Sequence, residues 1–146
     1  MKLNRLSILL SFFILGCTTT AEIEGLPEMD KETTIRFNQY YRDGRLLYVN
    51  YCSSCHMESG EGLKNVIPSL VESPTFRNAM EEVPCKIKYG SEKHQSSAPG
   101  MVGFRALSDL EIAEITTYIS SSWGNKVGLM PVKRVKTLLD SCNVDQ

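Results

Sequence analysis

The 146-residue chain lacks the features of several large classes of protein. Its length is that of one ordinary domain, which argues against a repeat array or a multidomain enzyme. Its 16 basic residues are balanced by 17 acidic ones, so it lacks the positive excess on which binding to a phosphate backbone depends. We therefore expect no nucleic-acid partner. Five cysteines are too few for a disulfide scaffold at this length, so their positions matter more than their number.

The chain also lacks a hydrophobic run long enough to cross a membrane. Its apolar stretch, residues 6–15, is interrupted only by Ser7 and Ser11, and it follows Lys2 and Arg5. A transmembrane helix needs about 20 apolar residues, so this stretch is too short to span. A charged start followed by a short apolar segment is typical of a secretory signal.

The end of this segment, Ile14-Leu15-Gly16-Cys17, resembles the cleavage box of bacterial lipoproteins. The resemblance implies that residues 1–16 are a lipoprotein signal peptide and that the thiol of Cys17 is diacylated. The mature protein would then be lipid-anchored on the periplasmic side of a bacterial membrane. The alternative is an ordinary signal with an incidental cysteine.

Residues 17–42 are interpreted as a lipidated N-terminus and tether, because the span 18–36 is polar and shows almost no helical or strand periodicity. The first helix is expected near Asp43. The alternative is an ordered strap that packs along the domain, with Leu26-Pro27 as one point of contact.

The segment Cys52-Ser53-Ser54-Cys55-His56 contains C-x-x-C-H, the signature of covalent c-type haem attachment. Two intervening residues on a helical turn place both thiols where they reach the vinyl groups along one edge of a porphyrin. The adjoining His56 then brings its imidazole under the iron. The pattern predicts one covalent haem c, with His56 as an iron ligand.

Two other kinds of site, a structural zinc site and a redox pair of cysteines, are built from similar residues. A structural zinc site needs a second pair of ligands at comparable spacing, but the remaining cysteines, Cys85 and Cys142, lie far apart with no histidine beside either. A thioredoxin-like redox pair is expected near a βαβ pattern, and the sequence does not alternate strands with helices. Both alternatives are therefore weaker than haem attachment.

From Asp43 to Asn125 the chain resembles the single-haem class I cytochrome c family. The resemblance consists of ordered segments around the haem motif, namely Gly44-Arg45-Leu46-Leu47-Tyr48, Gly60-Glu61-Gly62, Ile67-Pro68-Ser69-Leu70 and the stretch 101–109. It implies that the glycine pair at 60 and 62 lets the chain turn tightly beneath the haem. It implies an all-α cytochrome c fold of three to five helices wrapped around one covalently attached haem. Residues 43–125 are accordingly assigned as the cytochrome c domain.

The resemblance also implies roles for residues outside C-x-x-C-H. In the family a proline carbonyl accepts the Nδ1 proton of the proximal histidine, which fixes its tautomer, and Pro68 matches that proline. Phe104 matches a position that packs on the haem. Met57, beside His56, stands where many members have glycine, and we interpret it as surface variation.

A sixth iron ligand is expected from one of six methionines, because thioether sulfur suits electron transfer. Five are excluded as the ligand. Met1 lies in the signal, Met29 in the tether, Met80 in an amphipathic core stretch and Met130 beyond the last helix, and Met57 adjoins His56 and cannot reach the opposite face of the macrocycle. Met101 remains, in a breaker-rich loop just before the final helix as in the family. His94 is expected to be an exposed loop residue, with alternative iron ligation as the other possibility.

The final helix of the domain is predicted to start at Asp109, because Ser108 and Glu111 form a capping-box pattern. By family resemblance it crosses the first helix, and Tyr118 meets Gly44 there.

Residues 126–146 form a basic C-terminal extension that the family segments do not cover. A short helix over 132–139 that packs on the domain is one interpretation, and a basic docking patch is the other. Cys85 and Cys142 are the two cysteines left once lipid and haem are assigned, so we expect a disulfide between them in an oxidising compartment. Two separate buried thiols are the alternative.

Together these features predict a single-electron carrier rather than an enzyme, acting between extracytoplasmic redox partner proteins and without a small-molecule substrate. The haem subunit of a larger dehydrogenase or oxidase is one alternative. A haem-based gas sensor is another, and it requires an easily vacated iron position.

Overall fold

The structure is a computed structural model and describes residues 25–64, 66–91 and 100–142. Its regular elements are α1 (Lys31–Tyr51), α2 (Ser53–His56), α3 (Pro74–Asn78), a 3-10 helix (Met80–Glu82), α4 (Val83–Tyr89), α5 (Asp109–Ile119) and α6 (Val132–Asp140). Within these ranges the only β-type pairings are two isolated bridges. The predicted all-α fold is confirmed. The helices outnumber the expected three to five because α2 and α3 have only four and five residues.

Several sequence predictions fall on residues outside these ranges. They are the signal peptide over 1–16, the lipidation of Cys17 and the two interpretations of His94. In the part of the chain that is described, no helix is both long and apolar enough to cross a membrane.

The core is built on the crossing of α1 and α5, which Gly44 permits. A Cβ atom on Gly44 would collide with the backbone oxygen of Glu114 and would lie 3.0 Å from the Cβ of Tyr118. The rings of Tyr48 and Tyr118 lie 5.4 Å apart beside this contact. The crossing predicted from the resemblance is confirmed, and it fixes the direction in which α1 presents its C-terminal end.

Helix α1 begins at Lys31, well before the expected start near Asp43. The Asp30 carboxylate caps it by accepting a hydrogen bond from the Thr33 amide at 2.9 Å. Phe37 and Tyr40 are buried and continue the helix face that carries Gly44. The prediction of a tether over 17–42 is therefore wrong from Lys31 onward, because a narrow apolar stripe is enough to bury a mostly polar helix.

The residues before α1 lie against the chain that follows α5. Gly25 lies close to the Lys126 side chain, and a Cβ on Gly128 would be 3.4 Å from the Cδ of Pro27. These contacts favour the ordered strap over the tether for residues 25–30.

Helix α5 starts at Asp109 as predicted, with a complete capping box between Ser108 and Glu111. The Ser108 amide donates to the Glu111 carboxylate at 2.8 Å, and the Glu111 amide donates to the Ser108 hydroxyl at 3.3 Å. Eight of its eleven residues are buried, so α5 is the central helix of the fold.

The C-terminal extension docks on the domain through α6. Val135 and Leu138 are buried, while Lys133, Arg134 and Lys136 are exposed. The predicted packed helix is therefore confirmed, and its basic side chains lie on the outer surface, where Arg134 pairs with Glu81. A disulfide joins Cys85 in α4 to Cys142 just beyond α6, with the Cα atoms 5.9 Å apart.

Candidate haem-binding site

The C-x-x-C-H segment occupies a single helical turn at the end of α1. Cys52 ends α1, where its amide donates to the Tyr48 carbonyl at 2.8 Å, and the His56 amide returns to the Cys52 carbonyl at 2.9 Å. Cys52 is buried and Cys55 is exposed. The two thiols therefore differ in surroundings, and burial raises the pKa of the Cys52 thiol to about 11.

His56 is oriented by the carbonyl oxygen of Pro68, which lies 3.1 Å from Nδ1. Because a carbonyl only accepts, Nδ1 carries the proton and Nε2 keeps its lone pair for a metal. Burial lowers the pKa of His56, and the hydrogen bond that Nδ1 donates to the Pro68 carbonyl opposes this effect more weakly. The lowered pKa favours the neutral form that metal ligation needs.

The segment between His56 and Pro68 turns back tightly on two glycines. Gly60 and Gly62 have φ of 73° and 66°, where a Cβ is disfavoured. A Cβ on Gly60 would lie 2.6 Å from the Trp123 ring, and one on Gly62 would lie 2.7 Å from the Pro68 carbonyl oxygen. The glycine turn predicted from the resemblance therefore brings Pro68 under His56.

Met57 has a backbone conformation that nearly always requires glycine, with φ 63° and ψ 160°. A side chain in this region costs of order 1–3 kcal/mol. The Tyr48 hydroxyl donates a hydrogen bond to the Met57 carbonyl at 2.6 Å and helps to hold Met57 in this strained backbone conformation. The interpretation of Met57 as surface variation holds for its exposed side chain, but it missed this backbone cost and the role of Tyr48.

Met101 is half-buried and packs against the core cluster, which is the group of buried side chains built around the crossing of α1 and α5. Its amide donates to the Ser91 hydroxyl at 3.2 Å, and its carbonyl accepts from the Ser91 amide at 2.9 Å. Val102 pairs with Gly90 in an isolated bridge, and the Phe104 amide donates to the Ile87 carbonyl at 2.9 Å. The end of α4 therefore holds the Met101 loop, a function that the sequence analysis did not assign to it.

Phe104 connects this loop to the haem motif. Its ring meets the ring of Tyr51 edge-on, with the centroids 5.7 Å apart, and Tyr51 directly precedes Cys52. The structure thus brings together the loop that carries Met101 and Phe104 and the turn that carries Cys52, Cys55 and His56.

The surroundings of His56 fit a large, flat, apolar group. Large apolar side chains remain exposed on the segments that frame the motif and the Met101 loop, namely Tyr51, Met57, Leu63, Val66 and Val102. These side chains are available to cover an apolar group held at the motif. Cys85 and Cys142 are joined to each other, so they do not supply the second ligand pair that a zinc site would need. The arrangement is suited to a haem held by two thiols and ligated by His56.

Three relatives share part of this sequence. The chain is 28% identical over 112 residues to the cytochrome c subunit of alcohol dehydrogenase (quinone) from Gluconobacter oxydans, covering 71% of this chain and 23% of the relative. It is 32% identical over 104 residues to the corresponding subunits of Gluconacetobacter polyoxogenes and Komagataeibacter europaeus, covering 64% of this chain and 22% of each relative. The chain thus spans less than a quarter of the length of these relatives.

A family model described as "Cytochrome C oxidase, cbb3-type, subunit III" matches residues 39–119. The match begins within α1, includes the C-x-x-C-H turn and the Met101 loop, and ends with α5. Since it covers more than half of the 146 residues, the chain belongs to the cytochrome c family.

Proposed function

We propose that this cytochrome c domain is a membrane-anchored, single-electron carrier between extracytoplasmic respiratory partners. One haem c is attached to Cys52 and Cys55, and its iron is ligated by His56 and Met101. Membership of the family supports electron transfer. The observation that carries the assignment of His56 is the 3.1 Å contact between its Nδ1 and the Pro68 carbonyl, because Nδ1 is engaged there and Nε2 is left for the iron.

When bound, the haem supplies the one-electron couple of its iron. The chain's own residues determine how that couple behaves. His56 is fixed in tautomer and orientation by Pro68, and the thioether of Met101 is a soft ligand that favours the reduced state and so raises the reduction potential. Because His56 and Met101 lie on separately braced segments, they would keep the surroundings of the iron nearly constant and so limit the reorganisation that accompanies transfer.

The test is expression with a c-type haem maturation system. The wild-type protein should hold one haem per chain that acid and organic solvent do not extract, and its ferric form should show the far-red sulfur-to-iron charge-transfer band. The matched control is the double variant Cys52→Ala/Cys55→Ala, from which any haem should be extractable. Extractable haem in the wild type would contradict covalent attachment, and a wild type without the band would contradict thioether ligation.

A second candidate function is that of a haem subunit in a larger dehydrogenase or oxidase. It is favoured by the relatives, which are cytochrome c subunits of alcohol dehydrogenase (quinone) and are more than three times as long as this chain. Co-purification from membranes distinguishes the two: a free carrier elutes alone at its own mass, whereas a subunit elutes with its complex.

Membrane attachment is proposed to depend on Cys17. Replacing Cys17 with serine, together with a soluble-type signal, should move the cytochrome from the membrane fraction to the soluble fraction, because diacylation supplies the two chains that stable anchoring needs. The 13 residues between Cys17 and Lys31 reach at most about 45 Å when extended. The lipid would therefore keep the domain near the membrane surface and raise its effective concentration around membrane-bound partners.

The readouts are immunoblots of both fractions and electron delivery to soluble partners in vitro, which should be preserved. A variant that still sediments with membranes would show that protein contacts hold it there and would favour the subunit over the free carrier.

A further inference from the structure

The disulfide between Cys85 and Cys142 is attached to α4, and the C-terminal end of the same short helix contacts the Met101 loop. Cys85 is in the middle of α4, and Cys142 lies two residues beyond the end of α6. Helix α6 is itself fixed to the core, since Val135 and Leu138 are buried. The disulfide therefore ties α4 to an element that is packed on the core.

The C-terminal end of α4 holds the loop at the level of the backbone. Ile87 accepts from the Phe104 amide at 2.9 Å, and Gly90 pairs with Val102. Gly90 and Gly103 approach so closely that a Cβ on Gly103 would lie 2.7 Å from the Gly90 nitrogen. A displacement of α4 is thus passed to the loop without being absorbed by flexible side chains.

Helix α4 is too short to hold its position without outside support. It has seven residues, follows a 3-10 turn and buries only Val83, Pro84 and Ile87. An isolated helix of this length is far below the 12–15 residues at which helices become even marginally stable in water. Its position therefore depends on its packing against α5 and α6 and on the covalent bond at Cys85.

We propose that Cys85 and Cys142 are positioning residues for the sixth iron ligand: their disulfide clamps α4, and α4 holds the loop so that Met101 stays on the iron. This inference rests on the ligand set proposed above. Loss of the disulfide leaves haem attachment and His56 untouched, because the C-x-x-C-H turn is anchored on α1. It loosens Met101 and opens one face of the iron to small ligands.

The first test uses the holoprotein of the double variant Cys85→Ser/Cys142→Ser. We expect the far-red band of the ferric form to weaken and the rate of cyanide binding to ferric iron to rise at least tenfold over wild type. The matched control is Phe37→Ala, which removes a buried ring from the other end of α1 and lowers the melting temperature without touching α4. Its band and cyanide rate should equal those of the wild type.

The outcomes separate this inference from the proposed function. A wild type without the far-red band would contradict the ligand assignment itself. A wild-type band together with an unchanged cyanide rate in the serine variant would overturn only the positioning role. The positioning role would also be overturned if Phe37→Ala accelerated cyanide binding as much as the serine variant does. It would be overturned as well if the unfolded, unreduced wild type showed free thiols at Cys85 and Cys142.

A second pair of variants tests the path from α4 to the loop and leaves the disulfide intact. Gly90→Ala places a methyl group against the Met101 carbonyl, whereas Gly128→Ala has the same kind of positive φ but meets nothing closer than 3.4 Å. Gly90→Ala should speed cyanide binding at least tenfold, and Gly128→Ala should not change it. Equal rates in the two variants would overturn the proposed path, including in a case where the serine variant fails to fold.

Discussion

Replacing Met101 with alanine should abolish the far-red sulfur-to-iron band of the ferric protein while the haem stays covalently bound. The reason is that the band requires the thioether, whereas attachment depends on Cys52 and Cys55 on a separate turn. Loss of the soft ligand should also lower the reduction potential by a sizeable part of the ~0.8 V range that axial ligands govern. Absorption spectroscopy of the ferric form and a potentiometric titration measure both effects.

The matched control for this prediction is Met80→Ala, which truncates another half-buried methionine of the core cluster. It should retain the band and the potential and lose only stability. A band that persists in Met101→Ala would move the iron ligand to another methionine. Reduced Met101→Ala should bind carbon monoxide rapidly and the wild type slowly, so rapid binding by the wild type would favour the gas sensor.

The parts of the fold that the sequence predicted correctly depend on short-range patterns. The capping box at Ser108 and Glu111 fixes the start of α5 because both partners lie within one turn. The glycines at 60 and 62 predicted the turn under His56 because positive φ excludes most other residues. The crossing of α1 and α5 followed from the resemblance, and Gly44 explains it physically.

The parts that the sequence did not predict depend on long-range packing. The first turns of α1 are polar on most sides, and the burial of Phe37 and Tyr40 against the core adds to the Asp30 cap in making that stretch helical. The backbone contacts of Ile87, Gly90 and Ser91 join each of them to a loop residue 10 to 17 positions later in the chain. No local pattern marks such contacts, and the site therefore has more supporting residues than its motif indicates.

The crossing at Gly44 should be the most sensitive point of the fold. Gly44→Ala should destabilise the protein by about 3 kcal/mol, the upper part of the usual range for overpacking, and lower Tm by roughly 10 °C. The new methyl group collides with the backbone oxygen of Glu114, and a backbone atom in the central helix cannot move aside as a side chain tip can. Thermal and chemical unfolding of the holoprotein measure the change.

Two opposing effects make the sign of this result informative. Helix propensity alone predicts that alanine at an interior helical glycine stabilises by roughly 0.5–1 kcal/mol, whereas the close approach of α1 to α5 predicts a loss several times larger. Leu46→Ala is the matched control, because Leu46 lies two residues away on the solvent side of α1 with 61% of its surface exposed. It should change stability by no more than about 0.5 kcal/mol. A Gly44→Ala variant as stable as the wild type would contradict the close approach of the two helices, in which the new methyl group would lie only 3.0 Å from the Cβ of Tyr118. The direction in which α1 presents Cys52 and His56 would then have to be set by other contacts.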